Sequence, residues 1–199
     1  MSILVYWALS PPASAPRLLR AGLRALGLPP GLPRRTDLPP GAKPRLVTDE
    51  TVDFNLSYTA GGVVCAVSRH WRVGIDLERH RPLSPAALSA RFTAAEWALL
   101  ETHPDPERAA LDLWVRKEAV LKAHGSGLSV APELVDVTQE VATVGTDRYH
   151  LRPLRLAPSL HCWLAYRPLT PPPGPPRVEI HRWWPESPDG QLSSQHERL

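Results

Sequence analysis

Lysine is nearly missing from this chain. Only Lys43, Lys117 and Lys122 occur among 23 basic residues, and the other twenty are arginine. A GC-rich genome favours that bias, so each retained lysine is informative: its ammonium is a compact point charge, whereas arginine offers a planar fork. Cysteine is equally sparse. Cys65 and Cys162 stand far apart in the sequence, which excludes a disulfide framework or a thiolate metal cluster and fits a reducing cytosol. No apolar run reaches the ~18 residues that a membrane-spanning helix needs. The opening MSILVYWALSPP has no basic stretch ahead of its apolar part, so it does not read as a secretory leader. A cytoplasmic chain with no membrane partner is therefore expected. Short-period repeats are absent too.

What is present fits a globular protein. The chain has 199 residues and 22.0 kDa, with 43% hydrophobic and 22% charged residues, enough for one domain or two small lobes with a real core. Proline is abundant at 24 residues, many of them in RPLTPPPGPP (Arg167–Pro176), which reads as a stiff linker. The net charge of +3 is unevenly spread. Residues 1–48 carry six arginines and Lys43 against Asp37 alone, while residues 101–199 carry eleven basic and thirteen acidic side chains. A basic first segment suits a phosphate-bearing ligand or an acidic partner, and also an ordinary solvated surface.

Periodicity gives the elements. Ile3–Ala8, Phe54–Ser57, Val63–Ser68 and Val73–Glu78 read as strands, and Ala15–Leu26 as a helix stopped by Gly27 and Pro29-Pro30. Ser84-Pro85 opens a helix, Thr93-x-x-Glu96 is a capping box, and Asp105-Pro106 opens a long helix ending at Gly125. Leu134–Thr138, Tyr149–Leu154 and His161–Tyr166 read as further strands. Val178–Trp184 reads as a strand or a docking segment, and the last fifteen residues as disordered.

Three groups of residues carry chemistry. Asp76 and Glu78 lie two apart on one strand face, roughly ~7 Å from each other. Paired carboxylates repel unless a hard cation such as Mg²⁺ lies between them, although scattered acids on a solvent-facing edge give the same pattern. Glu118 and Lys122 are neighbours on the long helix, which suits a surface salt bridge, but Leu111 and Val115 share that face and two of the three lysines are on this helix. Gly41-Ala42-Lys43-Pro44 and Phe54-Asn55-Leu56-Ser57-Tyr58-Thr59 supply an ammonium and hydroxyls that can meet a phosphate. The histidines His70, His80, His103 and His124 show no ligand spacing.

The order of these pieces is more specific than any one of them. G-x-K-P, F-N-L-S-Y-T, V-G-I-D-L-E, R-F-T-x-x-E, W-V-R-K-E-A-V-L-K and G-S-G-L-S, in this succession, resemble the 4′-phosphopantetheinyl transferases of the long, single-chain type. The resemblance is close over Gly41–Val135 and loose over His161–Tyr166. It implies an α+β fold of two similar α/β lobes forming a pseudo-dimer with the active site between them: an N-terminal lobe 1–72, a C-terminal lobe 73–167 and a Pro-rich linker and tail 168–199. It also implies transfer of the phosphopantetheine arm of coenzyme A to a serine of an acyl or peptidyl carrier protein by a monomer. Carried over by motif, Asp76, Glu78 and Glu118 would hold Mg²⁺, and Lys122 would neutralise the departing diphosphate. Glu118 would take the serine proton, directly or through a metal-bound water. Lys43, Ser57, Tyr58 and Lys122 would line the coenzyme A site.

Two departures stand out. Tyr58 occupies a position where relatives usually have histidine, and tyrosine carries no positive charge at neutral pH. The stretch from the first strand to the first helix is also shorter than usual, leaving Arg17, Arg20, Arg34 and Arg35 as unassigned candidates for a 3′-phosphate contact. These departures keep open a non-catalytic protein that binds coenzyme A or a carrier protein. A metal-dependent phosphohydrolase would use the same acids. Arg182 and Trp183-Trp184 offer a small stacking patch, but no nucleic-acid-binding module surrounds them, and no nucleic-acid partner is expected.

Overall fold

The computed structural model describes residues 1–29, 43–46, 49, 51–125, 127–170 and 174–183. Within them the chain runs β1 (Ser2–Ala8), α1 (Ala15–Ala25), β2 (Asp53–Thr59), β3 (Gly62–Ser68) and β4 (Trp71–Arg79), then α2 (Ala94–Thr102) and α3 (Pro106–His124). It finishes with β5 (Val141–Val144), β6 (Asp147–Pro153), β7 (Leu160–Pro168) and β8 (Arg177–Arg182). Arg34, Arg35, Ser126, Trp184, the middle of the proline run and the last fifteen residues lie outside the described residues.

Strand alternation sets the layers. In β1, Ile3, Val5 and Trp7 face one way and Leu4, Tyr6 and Ala8 the other, and all six are buried. Both faces must therefore be covered. Leu18, Leu19 and Leu23 of α1 cover one. Gly22 lets α1 approach closely, since a Cβ there would stand 2.4 Å from Val67 Cγ1. The other face meets a second sheet, with Val73, Ile75 and Leu77 of β4 and Leu160, Cys162 and Leu164 of β7. The far face of that sheet is covered by α2 and α3.

Two four-stranded sheets result, ordered β2-β3-β1-β8 and β4-β7-β6-β5. Each carries helix on its outer face, and their inner faces share one core. This is the α+β architecture of two similar lobes expected from the sequence. The chain passes from the first sheet to the second between Ser68 and Trp71. β8 returns to the first sheet and pairs in parallel with β1, Ser2 opposite Arg177 and Trp7 opposite Arg182.

The structure corrects two elements. Leu134–Thr138 is not a strand: Pro132–Leu134 forms a 3-10 turn, and the backbone beyond it is satisfied by side chains. Lys117 Nζ donates to the Val135 carbonyl, Val137 N–H donates to Glu96 Oε1 at 3.1 Å, and Arg116 Nη1 donates to the Val137 carbonyl at 3.2 Å. A segment whose polar groups are met this way needs no ladder partner. The strand at this edge is instead Val141–Val144, paired with β6 across a turn in which Gly145 takes φ +59°. The helix read from Ser84-Pro85 is a 3-10 segment, Pro85–Arg91.

Candidate functional site

The site begins with a glycine. β4 sends Val73, Ile75 and Leu77 into the shared core and turns Gly74, Asp76 and Glu78 towards α3. A Cβ on Gly74 would stand 2.1 Å from the Ala119 carbonyl oxygen and 2.2 Å from the Ala123 nitrogen. Only a residue without a side chain fits there. Ala119 and Ala123, both fully buried, are the matching small residues on α3. This contact brings the D-x-E strand against the turns of α3 that carry Glu118 and Lys122. Asp105 caps the start of α3 by accepting from Arg108 N–H at 3.1 Å, and Gly125, at φ +80°, ends it.

Asp76 is the hub. It is 4% exposed. Its Oδ1 accepts from Lys122 Nζ at 2.5 Å and from Ser57 Oγ at 2.9 Å. Its Oδ2 is buried and has no hydrogen-bond partner, an uncommon state for a carboxylate oxygen. Glu78 accepts from Thr59 Oγ1 at 3.4 Å. Burial, and then the charge of Asp76, push the Glu78 carboxyl above its ordinary pKa. The Glu118 carboxyl is raised by burial first and by Asp76 second; Lys122 and Arg91 oppose this, and Glu78 adds to it. The three carboxylates thus feel one another, and Lys122 pairs with Asp76 across the strand–helix contact rather than along its own helix. Among the described residues, no three His, Cys, Asp or Glu side chains are gathered tightly enough to enclose a metal ion. The acids are hard oxygen donors, the kind Mg²⁺ prefers, and the orphaned Asp76 oxygen leaves one of them free to bind.

β2 joins the two sheets through its side chains. Asp53 Oδ2 accepts from Val73 N–H at 2.8 Å, Asn55 Oδ1 from Ile75 N–H at 2.8 Å, and Ser57 Oγ from Leu77 N–H at 3.2 Å. Three residues at period two therefore satisfy the free edge of β4. Lys43 is drawn into the same seam. Its ammonium donates to Asp53 and to the Val73 carbonyl, and burial pulls its pKa down to about 8 against the attraction of Asp53.

A cavity of about 410 Å³ opens beside this seam, lined by Lys43, Asn55, Arg91, Glu118, Lys122 and Gly125 among others. Of the residues expected from the sequence, Lys43, Glu118 and Lys122 line it. The buried ammonium of Lys43 is engaged with protein oxygens. Ser57 and Asp76 adjoin the cavity through Lys122. Tyr58 lies elsewhere: alternation along β2 puts it on the opposite strand face from Ser57, and it is 63% exposed. Sequence reasoning did not single out Asn55 or Arg91 as cavity residues.

It also left Lys117 without a partner. Lys117 and Glu96, both fully buried, form an ion pair at 2.8 Å. Burial lowers the Lys117 pKa, and Glu96 opposes that shift. Lys117 further donates to the carbonyls of Pro132, at 2.9 Å, and Val135. Glu96 accepts from the backbone N–H of Thr93, closing the capping box, and of Val137. One ion pair thus ties α2 and α3 to the 132–137 segment that borders the cavity. The capping box was visible in Thr93-x-x-Glu96; the partner of its glutamate was not.

Residues 72–169, which hold β4 to β7 with α2 and α3 between them, match the family described as the 4'-phosphopantetheinyl transferase superfamily. The chain is 34% identical over 119 residues to the 4'-phosphopantetheinyl transferase HetI of Nostoc sp., a match covering 55% of this chain and 48% of that protein. It is 32% identical over 90 residues to a 4'-phosphopantetheinyl transferase of Bacillus subtilis, covering 44% of this chain and 40% of that one. It is 34% identical over 101 residues to the L-aminoadipate-semialdehyde dehydrogenase-phosphopantetheinyl transferase of Schizosaccharomyces pombe, covering 43% and 39%. The matched stretches span under half the length of these relatives. No helix among the described residues is long and apolar enough to cross a membrane.

Proposed function

The chain belongs to the 4′-phosphopantetheinyl transferase superfamily, and from that premise we propose that it moves the 4′-phosphopantetheine group of coenzyme A onto a serine of an acyl or peptidyl carrier protein, as a cytoplasmic monomer. The serine oxygen bonds to the phosphorus that bears the pantetheine arm. The bond from that phosphorus to the bridging oxygen breaks, and adenosine 3′,5′-bisphosphate leaves with the bridging oxygen. The serine proton passes to a carboxylate of the protein. On this reading residues 1–72 form the N-terminal lobe, which β8 joins by pairing with β1, and residues 73–167 form the C-terminal lobe with the catalytic motifs.

What carries the proposal is the Gly74 contact, which sets the D-x-E acids against Glu118 and Lys122 beside an open cavity. Asp76, Glu78 and Glu118 are assigned to hold Mg²⁺. When bound, the ion supplies positive charge to the diphosphate, the main requirement of phosphoryl transfer through a loose transition state. Lys122 neutralises charge that builds on the bridging oxygen as the 5′-phosphate of adenosine 3′,5′-bisphosphate leaves. Glu118, which lines the cavity, accepts the serine proton. Ser57 holds Asp76 in place through its O–H.

The test is the mass of an apo carrier protein after incubation with the chain, coenzyme A and Mg²⁺. A gain of one phosphopantetheinyl group is expected. Coenzyme A binding with no gain on either acyl or peptidyl carriers would replace this reading with that of a non-catalytic binding protein.

A further inference from the structure

Val73 is held to the first sheet through both of its backbone groups. Its N–H donates to Asp53 Oδ2 at 2.8 Å, and its carbonyl accepts from the Lys43 ammonium. Lys43 also donates to that same Asp53 oxygen. Lys43, Asp53 and Val73 thus close a ring of three hydrogen bonds. The next residue is Gly74, which is pressed against Ala119 and Ala123 of α3. The ring therefore pins the edge of β4 at the point where α3 pins its face. The stem of Lys43 reaches α3 as well. A Cβ on Gly125, the residue that ends α3, would stand 3.1 Å from Lys43 Cβ and 3.4 Å from its Cδ. One side chain meets β4 with its charge and the end of α3 with its carbons. Lys43 lines the cavity, but its ammonium is engaged with protein oxygens, so what it gives the cavity is the apolar stem. Withdrawing the ammonium to meet a ligand would strip Asp53, itself 3% exposed, of its closest charge partner, a costly step for a buried carboxylate.

We propose that Lys43 is a positioning residue: by clamping Val73 to Asp53 and bracing Gly125, it sets the spacing of β4 and α3, and with it the spacing of Asp76 and Glu78 from Glu118. Its ammonium stays in the seam and does not touch the ligand. The inference rests on the transferase reading given above, because its effect is read in the rate of transfer.

Two variants separate positioning from ligand contact. The double substitution Lys43→Met with Asp53→Asn keeps the stem and the acceptor for the Val73 N–H but removes both charges of the ring. Removing a buried pair together is close to neutral for folding, whereas removing one partner is costly. Arg72, 3.9 Å from Asp53 Oδ1 and partly exposed, can turn to solvent there. Lys43→Arg keeps a charge for Asp53 but spreads it over a planar fork, so Val73 and Gly125 can no longer be met in the same way. On the full chain in Mg²⁺, calorimetry reads coenzyme A affinity, a thermal melt reads the fold, and carrier mass at saturating coenzyme A reads kcat. Both variants are expected to melt close to the unsubstituted protein and to bind coenzyme A with nearly unchanged affinity. Their kcat is expected to fall by about tenfold or more, as small displacements of reacting groups cause. If one variant does not fold, the other decides alone. Unchanged kcat in a folded variant overturns the inference. So does a loss confined to coenzyme A affinity, which would make Lys43 a contact to the ligand. Either result leaves the transferase reading intact. An unsubstituted protein that modifies no carrier removes that reading and this role with it.

Discussion

Glu118→Gln is expected to leave the protein folded and to slow carrier modification by about 10²–10⁴-fold, the usual worth of a positioned general base. The exchange keeps volume and shape but removes the ability to take a proton. Glu118 sits where burial and the charges of Asp76 and Glu78 already disfavour its ionised form. The neutral amide relieves that repulsion, so stability should hold or rise. A time course of carrier mass reads the rate, and a thermal melt reads the fold. A folded variant that modifies the carrier at the original rate would remove Glu118 from the chemistry.

Gly74→Ala is expected to do its damage through packing. The added carbon would meet the backbone of Ala119 and Ala123 at 2.1 and 2.2 Å, and backbone inside a helix cannot swing aside as a side-chain tip can. Overpacking of this kind costs about 3 kcal/mol or more, which for a chain of this size lowers the melting temperature by roughly 6–12 °C. Whatever folds will hold α3 further from β4, so Lys122 should lose its contact with Asp76 and transfer should fall as well. Calorimetric melting checks the first effect and carrier mass the second. Melting at the original temperature would mean that the strand–helix contact is not what positions the site.

Much of the architecture could be read from residue order because local physics and tertiary packing agree there. β1 and β3 are short apolar runs buried on both faces, and β4 alternates Val73, Ile75 and Leu77 with Gly74, Asp76 and Glu78. α2 and α3 start where a capping box and an Asp-Pro pair place them, and α3 stops at Gly125. The acids of β4 and the Glu118–Lys122 pair were visible as motifs. Hidden from the sequence was what meets them. Leu134–Thr138 has strand-like composition, but Lys117, Glu96 and Arg116 satisfy its backbone. Those partners come from elements far off in the chain, which no local pattern reveals. The pairing of Lys43 with Asp53 depends in the same way on two separated segments. The position of Tyr58 was within reach of periodicity, since it neighbours Ser57 on a strand and so must face the other side. The resemblance grouped the two by motif, and the pleat separates them.

The proposed function has Asp76 and Glu78 of β4 and Glu118 of α3 hold one Mg²⁺ between them. Calorimetric titration of Mg²⁺ into the full chain saturated with coenzyme A, repeated with Asp76→Ala, tests it without any turnover. One Mg²⁺ per chain, lost in Asp76→Ala while coenzyme A still binds, is the predicted result. Mg²⁺ uptake that is the same in both proteins would contradict it.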